Sequence, residues 1–352
     1  MSIILILPNL RPGGSERVVV NLANEFKSRS YEVIILLISG HDMTLSKFLR
    51  KDINVIDLKL KRFRSILLQP FALFRILKKN NPKIVISAFG EINPLIIPFK
   101  VLFRKTKFIA RESSIPSLRI ENVLIKTFYK FLYNYYDKIV VQSRSMEIDL
   151  INNFSINPQK TILINNPINP FFIESKLLES DENINGFGDF LLYVGTIDSN
   201  KRLDKIIAFY NKLRDSNYLY KLVILGNGPE LENIKFLVNN SKYYIDIIIY
   251  PYSDNPFKYM KLAKFLIIAS NYEGFPNVGI EANYCGLPII LSNETKGGAI
   301  ELIIENFNGF ILDFNNPDFE KLEQKFNSEK IKEHARDFYN VSSVTEAYIK
   351  LF

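Results

Sequence analysis

Short apolar runs rich in β-branched residues alternate along the chain with stretches whose apolar residues have helical spacing. In the first half these runs are IILIL (3–7), VIILLI (33–38), KIVIS (83–87), FIA (108–110), KIVVQ (138–142) and TILI (161–164). In the second half they are FLLYVG (190–195), KLVILG (221–226), DIIIY (246–250), FLIIAS (265–270), LPIILS (287–292) and GFILD (309–313). Uninterrupted apolar strands between helices indicate parallel sheets that are covered on both faces.

The segment NNPINPFF, residues 165–172, contains two prolines and three asparagines and favours neither helix nor strand. It predicts a boundary between two doubly wound α/β domains: a Rossmann-like domain over residues 1–168 and a second over residues 169–339. Ligands of open α/β sheets bind beyond the carboxyl ends of the strands. We therefore expect the glycine-containing loops at these ends to line one cleft between the domains.

The composition narrows the class of protein. With 352 residues, 47% hydrophobic and 23% charged, the chain is long enough for two globular domains. The first residues lack a basic n-region, and no uncharged apolar run reaches the roughly 20 residues of a membrane helix, so we expect neither a secretory signal nor a membrane span. A single cysteine, Cys285, excludes an internal disulfide, and two histidines exclude a His-rich metal site. These features predict a cytoplasmic protein.

Charge is distributed unevenly along the chain. The net charge is +8, but residues 1–170 carry +14 and the remainder −6, which indicates an anionic partner for the first half. Segments 59–79 and 98–130 interleave cations with bulky apolar residues. This pattern is typical of an interfacial segment on anionic lipid, and equally of a helix with a solvated basic face. Nucleic acid is disfavoured as a partner because none of the usual binding modules is present.

Four loops that follow predicted strands contain glycine and precede a helix, and the first and third along the chain are the simplest. In RPGGSERVVVNLA, Gly13 and Gly14 precede Ser15, which we expect to cap a helix from Glu16. Such a loop lets a phosphate approach free N–H groups, although a plain glycine turn explains it as well. In KLVILGNGPELENI the tight turn from Gly226 to Gly228 precedes a helix with Glu230 in its first turn, and by itself this turn needs no function.

The segment YVGTIDSNKRLDKII ends a strand at Gly195 and begins a helix near Leu203. Lys201 and Arg202 lie just before this helix. Two cations beside a helix start suit a diphosphate, and a solvated basic turn is the alternative.

The stretch NYEGFPNVGIEANYCG places Glu273 in a loop and Glu281 about one turn into a helix that starts around Asn277. The first N–H groups of that helix, at Asn277 and Val278, are unpaired and suit an anion. Carboxylates repel phosphate but accept paired hydrogen bonds from vicinal hydroxyls. Two acids around an anion site therefore favour a nucleotide sugar, with a capping acid and an ordinary surface glutamate as the alternative.

Together these motifs resemble the family 4 retaining glycosyltransferases. EGFPNVGIEANYCGLPII is similar to the family signature, and NLRPGGSERVVVNLA, YVGTIDSNKRLDKII, LVILGNGPELENI and KGGAIELIIENFNGFIL occur in the family's order, so the resemblance covers most of the chain. It implies a GT-B fold in which the C-terminal segment 340–352 crosses back to the first domain. It also implies transfer of a sugar from a nucleotide diphosphate donor with retention of configuration, without a metal or another cofactor.

The resemblance also assigns residues to the donor. Glu273 matches the residue that contacts the donor sugar and Glu281 the one that contacts the ribose, while Lys201 and the Asn277 and Val278 N–H groups serve the diphosphate. The donor-binding residues expected in this way are Gly13, Gly14, Gly195, Thr196, Lys201, Arg202, Gly226, Asn227, Gly228, Gly274, Phe275, Pro276, Asn277, Val278 and Glu281.

Two positions depart from the family pattern. The family usually has arginine where this chain has Thr196, so Arg202 is the expected replacement for that charge. A histidine often found in the first domain is absent, and ARESS (110–114) occupies its neighbourhood. Arg111 and Glu112 are therefore candidate catalytic residues in addition to Glu273 and Lys201.

The resemblance and the charge pattern together predict a metal-independent glycosyltransferase that uses a nucleotide sugar, with UDP-sugars favoured. The expected acceptor is a saccharide, lipid-linked at the inner face of the cell membrane, in bacterial surface polysaccharide biosynthesis. A nucleotide-sugar epimerase or a phosphorylase of the same fold is the alternative, because the fold alone does not determine the reaction.

Overall fold

The protein consists of two compact units. The computed structural model describes residues 1–40, 42–59, 69–90, 92–120, 122–179 and 187–352. The first unit comprises Met1–Pro167 and Val341–Phe352, and the second comprises Ile168–Asn340. Each of these boundaries lies one residue from the expected one.

The first unit is built on a parallel sheet that has seven strands within the described residues, in the order β3-β2-β1-β4-β5-β6-β7. The strands are β1 (Ser2–Leu7), β2 (Glu32–Leu37), β3 (Asn54–Asp57), β4 (Ile84–Ser87), β5 (Lys107–Arg111), β6 (Lys138–Val141) and β7 (Thr161–Leu163). The helices are α1 (Gly14–Ser28), α2 (Gln69–Asn80), α3 (Asn93–Ile96), α4 (Pro116–Arg119), α5 (Val123–Leu132), α6 (Arg144–Phe154) and, at the C-terminus, α14 (Val341–Ile349).

The second unit has a parallel sheet of six strands in its described part, in the order β10-β9-β8-β11-β13-β15, and a separate pair, β12 and β14. The strands are β8 (Phe190–Val194), β9 (Lys221–Leu225), β10 (Ile247–Tyr250), β11 (Phe265–Ile268), β12 (Tyr272–Glu273), β13 (Ile289–Ser292), β14 (Lys296–Gly297) and β15 (Gly309–Leu312). The helices are α7 (Pro170–Leu177), α8 (Leu203–Asp215), α9 (Leu231–Asn239), α10 (Phe257–Leu262), α11 (Asn277–Tyr284), α12 (Gly298–Leu302) and α13 (Ser328–Tyr339).

Both sheets are covered on both faces, as their uninterrupted apolar strands require. In β1, Ile3 and Ile4 are adjacent and both completely buried. Successive strand residues point to opposite faces, and in β8 Leu191 and Leu192 accordingly belong to two different apolar clusters of the second unit. Each unit therefore has its own core, and its loops at the carboxyl edge of the sheet are held by buried strands.

The C-terminal helix α14 packs on the first unit. Tyr348 is buried, and the ring centroids of Phe26 and Phe352 lie 5.6 Å apart. Arg29 Nη1 donates to the Glu346 carboxylate at 2.6 Å. The last residues of the chain thus complete the core of the unit that its first residues begin.

The structure corrects several details of the expected elements. The helix after the first glycine loop begins at Gly14 and has Gly13 as its N-cap, so the expected cap at Ser15 is wrong. Glu230 is the N-cap of α9 and does not lie in its first turn. The strands β3, β12 and β14 were not expected. β12 and β14 have only two residues each, and β3 begins and ends with a polar residue, so none of them contains a long apolar run.

The basic segment 59–79 lies partly outside the described residues. Positions 60–68 are not described, and α2 begins at Gln69. Among the helices that are described, none combines the length and the apolar character needed to cross a membrane.

Candidate active site

Glu273 is held beyond the carboxyl edge of the second sheet by the small strand pair. In this pair Tyr272 lies opposite Lys296, and Glu273 opposite Gly297. Gly297 has φ of 90°, a backbone region that glycine adopts without strain, and it leads directly into α12. The backbone of Glu273 is therefore fixed by a pair of two-residue strands, which the apolar pattern of the sequence does not indicate.

Lys201 and Ser270 both contact the Glu273 carboxylate. Lys201 Nζ donates to Oε1 at 2.5 Å, and Ser270 Oγ donates to the same oxygen at 2.6 Å. The side chains of Lys201 and Glu273 are 25% and 15% exposed, so the pair is partly shielded from water. Burial alone would lower the pKa of Lys201, but the charge and hydrogen bond of Glu273 outweigh it and raise that pKa. Lys201 is therefore a cation at neutral pH, and Oε2 of Glu273 accepts no bond from the described residues.

The loop after β8 presents Lys201 through a short 3-10 turn, Ser199–Lys201. Asp198 caps this turn by accepting the Lys201 N–H at 3.1 Å. The Asn271 N–H donates to the carbonyl of Asn200 at 2.7 Å, so the loops after β8 and β11 are bonded to each other. The contact between Lys201 and Glu273 thus rests on a backbone link between two neighbouring strand ends.

Helix α11 begins four residues after Glu273, and Pro276 is its N-cap. The N–H groups of Asn277 and Val278 point out of the first turn, where a helix offers them no acceptor of its own. Gly274, Phe275 and Pro276 are buried, and the Phe275 ring centroid lies 5.7 Å from that of Tyr339. The loop Gly274–Pro276 therefore joins the Lys201–Glu273 pair to a helix start whose free N–H groups suit an anion.

Glu281 lies on α11 and is partly buried. Thr196, at the position where the resemblance expects arginine, is exposed, and its carbonyl accepts the Tyr193 hydroxyl at 2.7 Å. Arg202 has a left-handed backbone with φ of 50° and pairs with Asp204 at 2.8 Å. The Arg202 guanidinium, which was expected to replace the missing arginine, is therefore paired with the Asp204 carboxylate.

The glycines after β9 have a packing role. A Cβ on Gly226 would lie 2.0 Å from the carbonyl oxygen of Gly195, and one on Gly228 would lie 2.2 Å from that of Ile197. The Ile197 N–H donates to the Asn227 carbonyl at 2.9 Å. These residues support the loop that carries Lys201, and the structure gives no separate reason to place them against a ligand.

The first glycine loop, in the first unit, is occupied in part by a carboxylate. A Cβ on Gly13 would lie 2.2 Å from Oε2 of Glu16, which is buried. Arg11 Nε donates to Glu16 Oε1 at 2.7 Å. A side chain at position 13 would therefore have to displace the Glu16 carboxylate, and Gly14 is the first residue of α1. Diphosphate binding by this loop stays a prediction.

Arg111 is completely enclosed in the first unit. Its Nη2 donates to Oδ1 of Asn166 at 2.5 Å. Asn166 lies one residue before Pro167, where the first part of this unit ends. Burial lowers the pKa of this guanidinium, and Tyr348, Glu112 and Glu16 oppose the shift. These contacts favour a positioning role over direct contact with a ligand. The adjacent Glu112 is also buried, on the opposite face of the strand end.

Within the second unit the structure thus brings Lys201 into contact with Glu273, which lies four residues before the start of α11, and their role in donor binding stays a prediction. Three contributors were missed: Ser270, the β12–β14 pair and the turn capped by Asp198. In the first unit the partners of Glu112, which are Asn93, Tyr129 and Tyr133, were also missed. No group of three His, Cys, Asp or Glu side chains suited to a metal occurs among the residues described.

Comparison with protein families matches two regions of the chain. The family described as "Glycosyl transferases group 1" matches residues 175–339. The family described as "Glycosyltransferase Family 4" matches residues 12–171. Each match covers most of one structural unit.

Two similar proteins come from Campylobacter jejuni. One, named N-acetylgalactosamine-N,N'-diacetylbacillosaminyl-diphospho-undecaprenol 4-alpha-N-acetylgalactosaminyltransferase, is 28% identical over 247 residues, which are 68% of this chain and 66% of that protein. The chain thus spans just under two thirds of this relative. The other, named GalNAc-alpha-(1->4)-GalNAc-alpha-(1->3)-diNAcBac-PP-undecaprenol alpha-1,4-N-acetyl-D-galactosaminyltransferase, is 26% identical over 375 residues, covering 100% of this chain and 98% of that protein.

Among solved structures, Alr3699/HepE of Anabaena in complex with UDP and glucose superimposes with a TM-score of 0.82. The alignment covers 99% of this chain and 98% of that chain at 14% identity. At this identity the likeness shows the fold, which is the GT-B arrangement of two parallel-sheet domains.

Proposed function

The chain belongs to the group 1 and family 4 glycosyltransferases, and from this premise we propose that it transfers a sugar from a uridine diphosphate sugar to a saccharide acceptor. We further propose that the anomeric configuration is retained and that no metal ion is required. Both refinements extend the family assignment.

The observation that carries this proposal is the Lys201–Glu273 pair beside the first turn of α11. A nucleotide sugar presents a dianionic diphosphate next to a ring of hydroxyls. The ammonium of Lys201 and the N–H groups of Asn277 and Val278 suit the diphosphate. The phosphates would compete with Glu273 for Lys201. The Glu273 carboxylate would then be available to accept hydrogen bonds from the sugar hydroxyls, first at Oε2.

The chemistry follows from these charges. The bond between the anomeric carbon and the phosphate oxygen breaks, and its electron pair leaves with the diphosphate. Lys201 and the helix N–H groups stabilise that charge, while the sugar passes through an oxocarbenium-like state. The acceptor oxygen bonds to the anomeric carbon from the same face. Its proton goes to the departing phosphate oxygen, so the step requires no separate base.

A lipid-linked acceptor is supported by the relatives. The names of both Campylobacter proteins specify undecaprenol diphosphate carriers bearing N-acetylgalactosamine. We extend this to a saccharide on a lipid diphosphate carrier for this chain, in bacterial surface polysaccharide synthesis. Such an acceptor would place the protein at the cytoplasmic face of a membrane.

A membrane-contacting surface is supported by helix α5. Leu124, Phe128, Phe131 and Tyr135 recur at helical spacing, and all four are exposed, Phe131 by 71%. Lys126 and Lys130 lie on the same helix, which has no acid of its own. At about 100° per residue both lysines lie on the other side of the helix from this stripe. The exposed rings would therefore enter the acyl boundary, and the attraction to an anionic bilayer would come from the excess of cations in the first half of the chain.

The transfer proposal is tested with a panel of UDP- and GDP-sugars in EDTA, with octyl glycosides as acceptors. Octyl N-acetyl-α-galactosaminide is the first probe, chosen from the relatives' names. We expect release of UDP from one UDP-sugar without acceptor, a faster release with acceptor, and a product whose anomeric coupling matches the donor. A product of inverted configuration, or turnover only with added divalent metal, would contradict the mechanism.

A further inference from the structure

Glu112 is a buried carboxyl group at the carboxyl edge of the first sheet, and the donor chemistry does not use it. β5 ends at Arg111, and the Glu112 N–H continues the sheet by donating to the Val140 carbonyl at 3.0 Å. The residue is 2% exposed. A carboxyl group in such a place needs hydrogen-bond partners to offset the loss of water.

One carboxyl oxygen of Glu112 has three donors. Asn93 Nδ2 lies 3.3 Å from Oε1, the Tyr129 hydroxyl lies 3.4 Å from it, and the Tyr133 hydroxyl also donates to it. The two tyrosine rings stack with centroids 4.1 Å apart, and Asn93 Nδ2 donates to the Tyr133 hydroxyl at 2.8 Å. These contacts fix the rotamer of Glu112 from helix α3, from helix α5 and from the turn that follows α5.

The other oxygen, Oε2, accepts nothing from the described residues and lies beside a narrow cavity. Glu112, Gly90, Ser113, Ser114, Arg119 and Tyr129 contribute to its lining. The cavity volume is about 10 Å³, which is room for one water-sized group. An ideal Cβ on Gly90 would lie 2.2 Å from the Tyr129 hydroxyl and 3.0 Å from Oε2, so the space exists only because this residue is glycine.

The surroundings make this carboxyl group responsive near neutral pH. Burial raises the pKa of Glu112 to about 7, although hydrogen bonds from Tyr133, Asn93 and Tyr129 and the charge of Arg119 act to lower it. Burial also raises the pKa of both tyrosines, so they face Glu112 as neutral donors. The other charged neighbour along the chain is Arg111, whose guanidinium is bonded to Asn166 on the opposite face.

We propose that Glu112 and this cavity bind one hydroxyl group of the acceptor saccharide, which donates its hydrogen bond to Oε2. The proposal rests on the proposed sugar transfer and adds the place where the acceptor is recognised. A single hydroxyl matches the size of the cavity, and a carboxylate accepts a stronger bond from it than a neutral oxygen does. Ligands of parallel α/β sheets bind at this edge.

The test compares Glu112→Gln with a control variant, Glu147→Gln, in the same unit. Glutamine can keep its oxygen at the position of Oε1, but it then directs an N–H₂ donor into the cavity. Glu147 is also buried and accepts the Thr161 hydroxyl at 2.6 Å, outside the proposed site. Initial rates are measured with the UDP-sugar found in the donor panel and with octyl glycosides as acceptors, together with UDP release in the absence of acceptor.

We expect the Glu112→Gln variant to raise the acceptor KM at least tenfold, with donor KM and acceptor-free UDP release as in the unaltered protein. The acceptor KM of the unaltered protein should fall as pH rises from 6 to 8, and the variant should lose this dependence. Gly90→Ala should also raise the acceptor KM, because its Cβ enters the cavity. Glu147→Gln should change neither KM.

An unchanged acceptor KM in Glu112→Gln would overturn the inference, as would an equal loss of acceptor-free UDP release. The same holds if the donor is hydrolysed but no octyl glycoside is used, because the saccharide acceptor is then wrong. A protein that releases UDP from no sugar nucleotide would instead contradict the proposed function itself, and the inference with it.

Discussion

In the proposed mechanism single residues of the second unit act on the donor, and the two carboxylate oxygens of Glu273 have different partners. Its Oε1 receives Lys201 and Ser270, whereas Oε2 receives no bond from the described residues. The Lys201 ammonium that contacts Oε1 is also the cation that would attract the diphosphate of a donor. Glu281 lies about one turn into α11 and is separated from this pair by the helix start.

We therefore expect different kinetic losses from the two acids. Glu273→Ala should lower kcat by about 100-fold or more, because it removes a contact to the reacting sugar and leaves Lys201 without its partner. Glu281→Ala should raise the donor KM with a smaller change in kcat. Steady-state rates with the UDP-sugar from the panel separate these effects, and equal, small losses in both variants would contradict the assignment.

Glu112 gives a second prediction at this scale, on stability. Its pKa is about 7 in the folded protein and 4.5 in an exposed chain. Between these values the folded protein binds the proton more tightly, so the free energy of unfolding falls as pH rises from about 4.5 to about 7. The loss attributable to Glu112 is about 3 kcal/mol.

Glu112→Gln should remove that contribution. Denaturant unfolding of both proteins at pH 5 and pH 8 measures this contribution. Relative to the unaltered protein, the variant should have a higher free energy of unfolding at pH 8 than at pH 5. Parallel changes in both proteins across this range would show that the buried carboxyl group does not titrate there.

Sequence reasoning selected candidate residues by their own chemistry and spacing, and the structure places two of them, Lys201 and Glu273, in contact. Glu273, Glu281, Lys201 and the helix start at Asn277 could be found because acids, cations and glycines recur at strand ends. Ser270 could not, since a serine after a strand has many roles. Gly226 and Gly228 are explained by close contact with the backbone of the loop after β8. A local sequence pattern does not show a contact between such distant positions.

At the scale of elements, the long buried strands were predictable and the short ones were not. Continuous apolar runs identified the strands that fill both sheets, whereas the two-residue strands Tyr272–Glu273 and Lys296–Gly297 leave no periodic signal. Yet this pair fixes the backbone of Glu273, on which the proposed donor site depends. Helix α5 is the opposite case, because its apolar residues are plain in sequence and their exposure is visible only in the structure.

The exposure of α5 predicts membrane binding that a double variant should remove. Leu124→Ser with Phe131→Ser should abolish co-sedimentation with vesicles containing phosphatidylglycerol, because both side chains would enter the acyl boundary. Acceptor-free UDP release should be unchanged. The matched control is Phe236→Ser, which alters a phenylalanine of α9 that is 65% exposed in the second unit.

Binding that is equal for anionic and zwitterionic vesicles would remove the electrostatic part of this proposal. Loss of binding in the Phe236→Ser variant would show that exposed rings in general, and not α5, cause the association.

At the scale of the whole molecule, the chain divides its properties between two units. The excess of cations lies in the first half, and the Lys201–Glu273 pair with the α11 start lies in the second unit. The two-unit organisation follows from the repeated strand pattern and the proline-rich segment between the repeats. The identity of the acceptor does not follow from these features, because it depends on a few side chains such as Glu112 whose partners come from separate elements.

The central claim is that Lys201 binds the diphosphate and Glu273 the sugar of one donor. Calorimetric titration of UDP and of the UDP-sugar into the unaltered protein, Lys201→Met and Glu273→Gln tests it most directly. We expect Lys201→Met to weaken both ligands at least tenfold, and Glu273→Gln to weaken the UDP-sugar while UDP binds as well as before or more tightly. If Glu273→Gln weakened UDP as much as UDP-sugar, or Lys201→Met left both affinities unchanged, the account would be wrong.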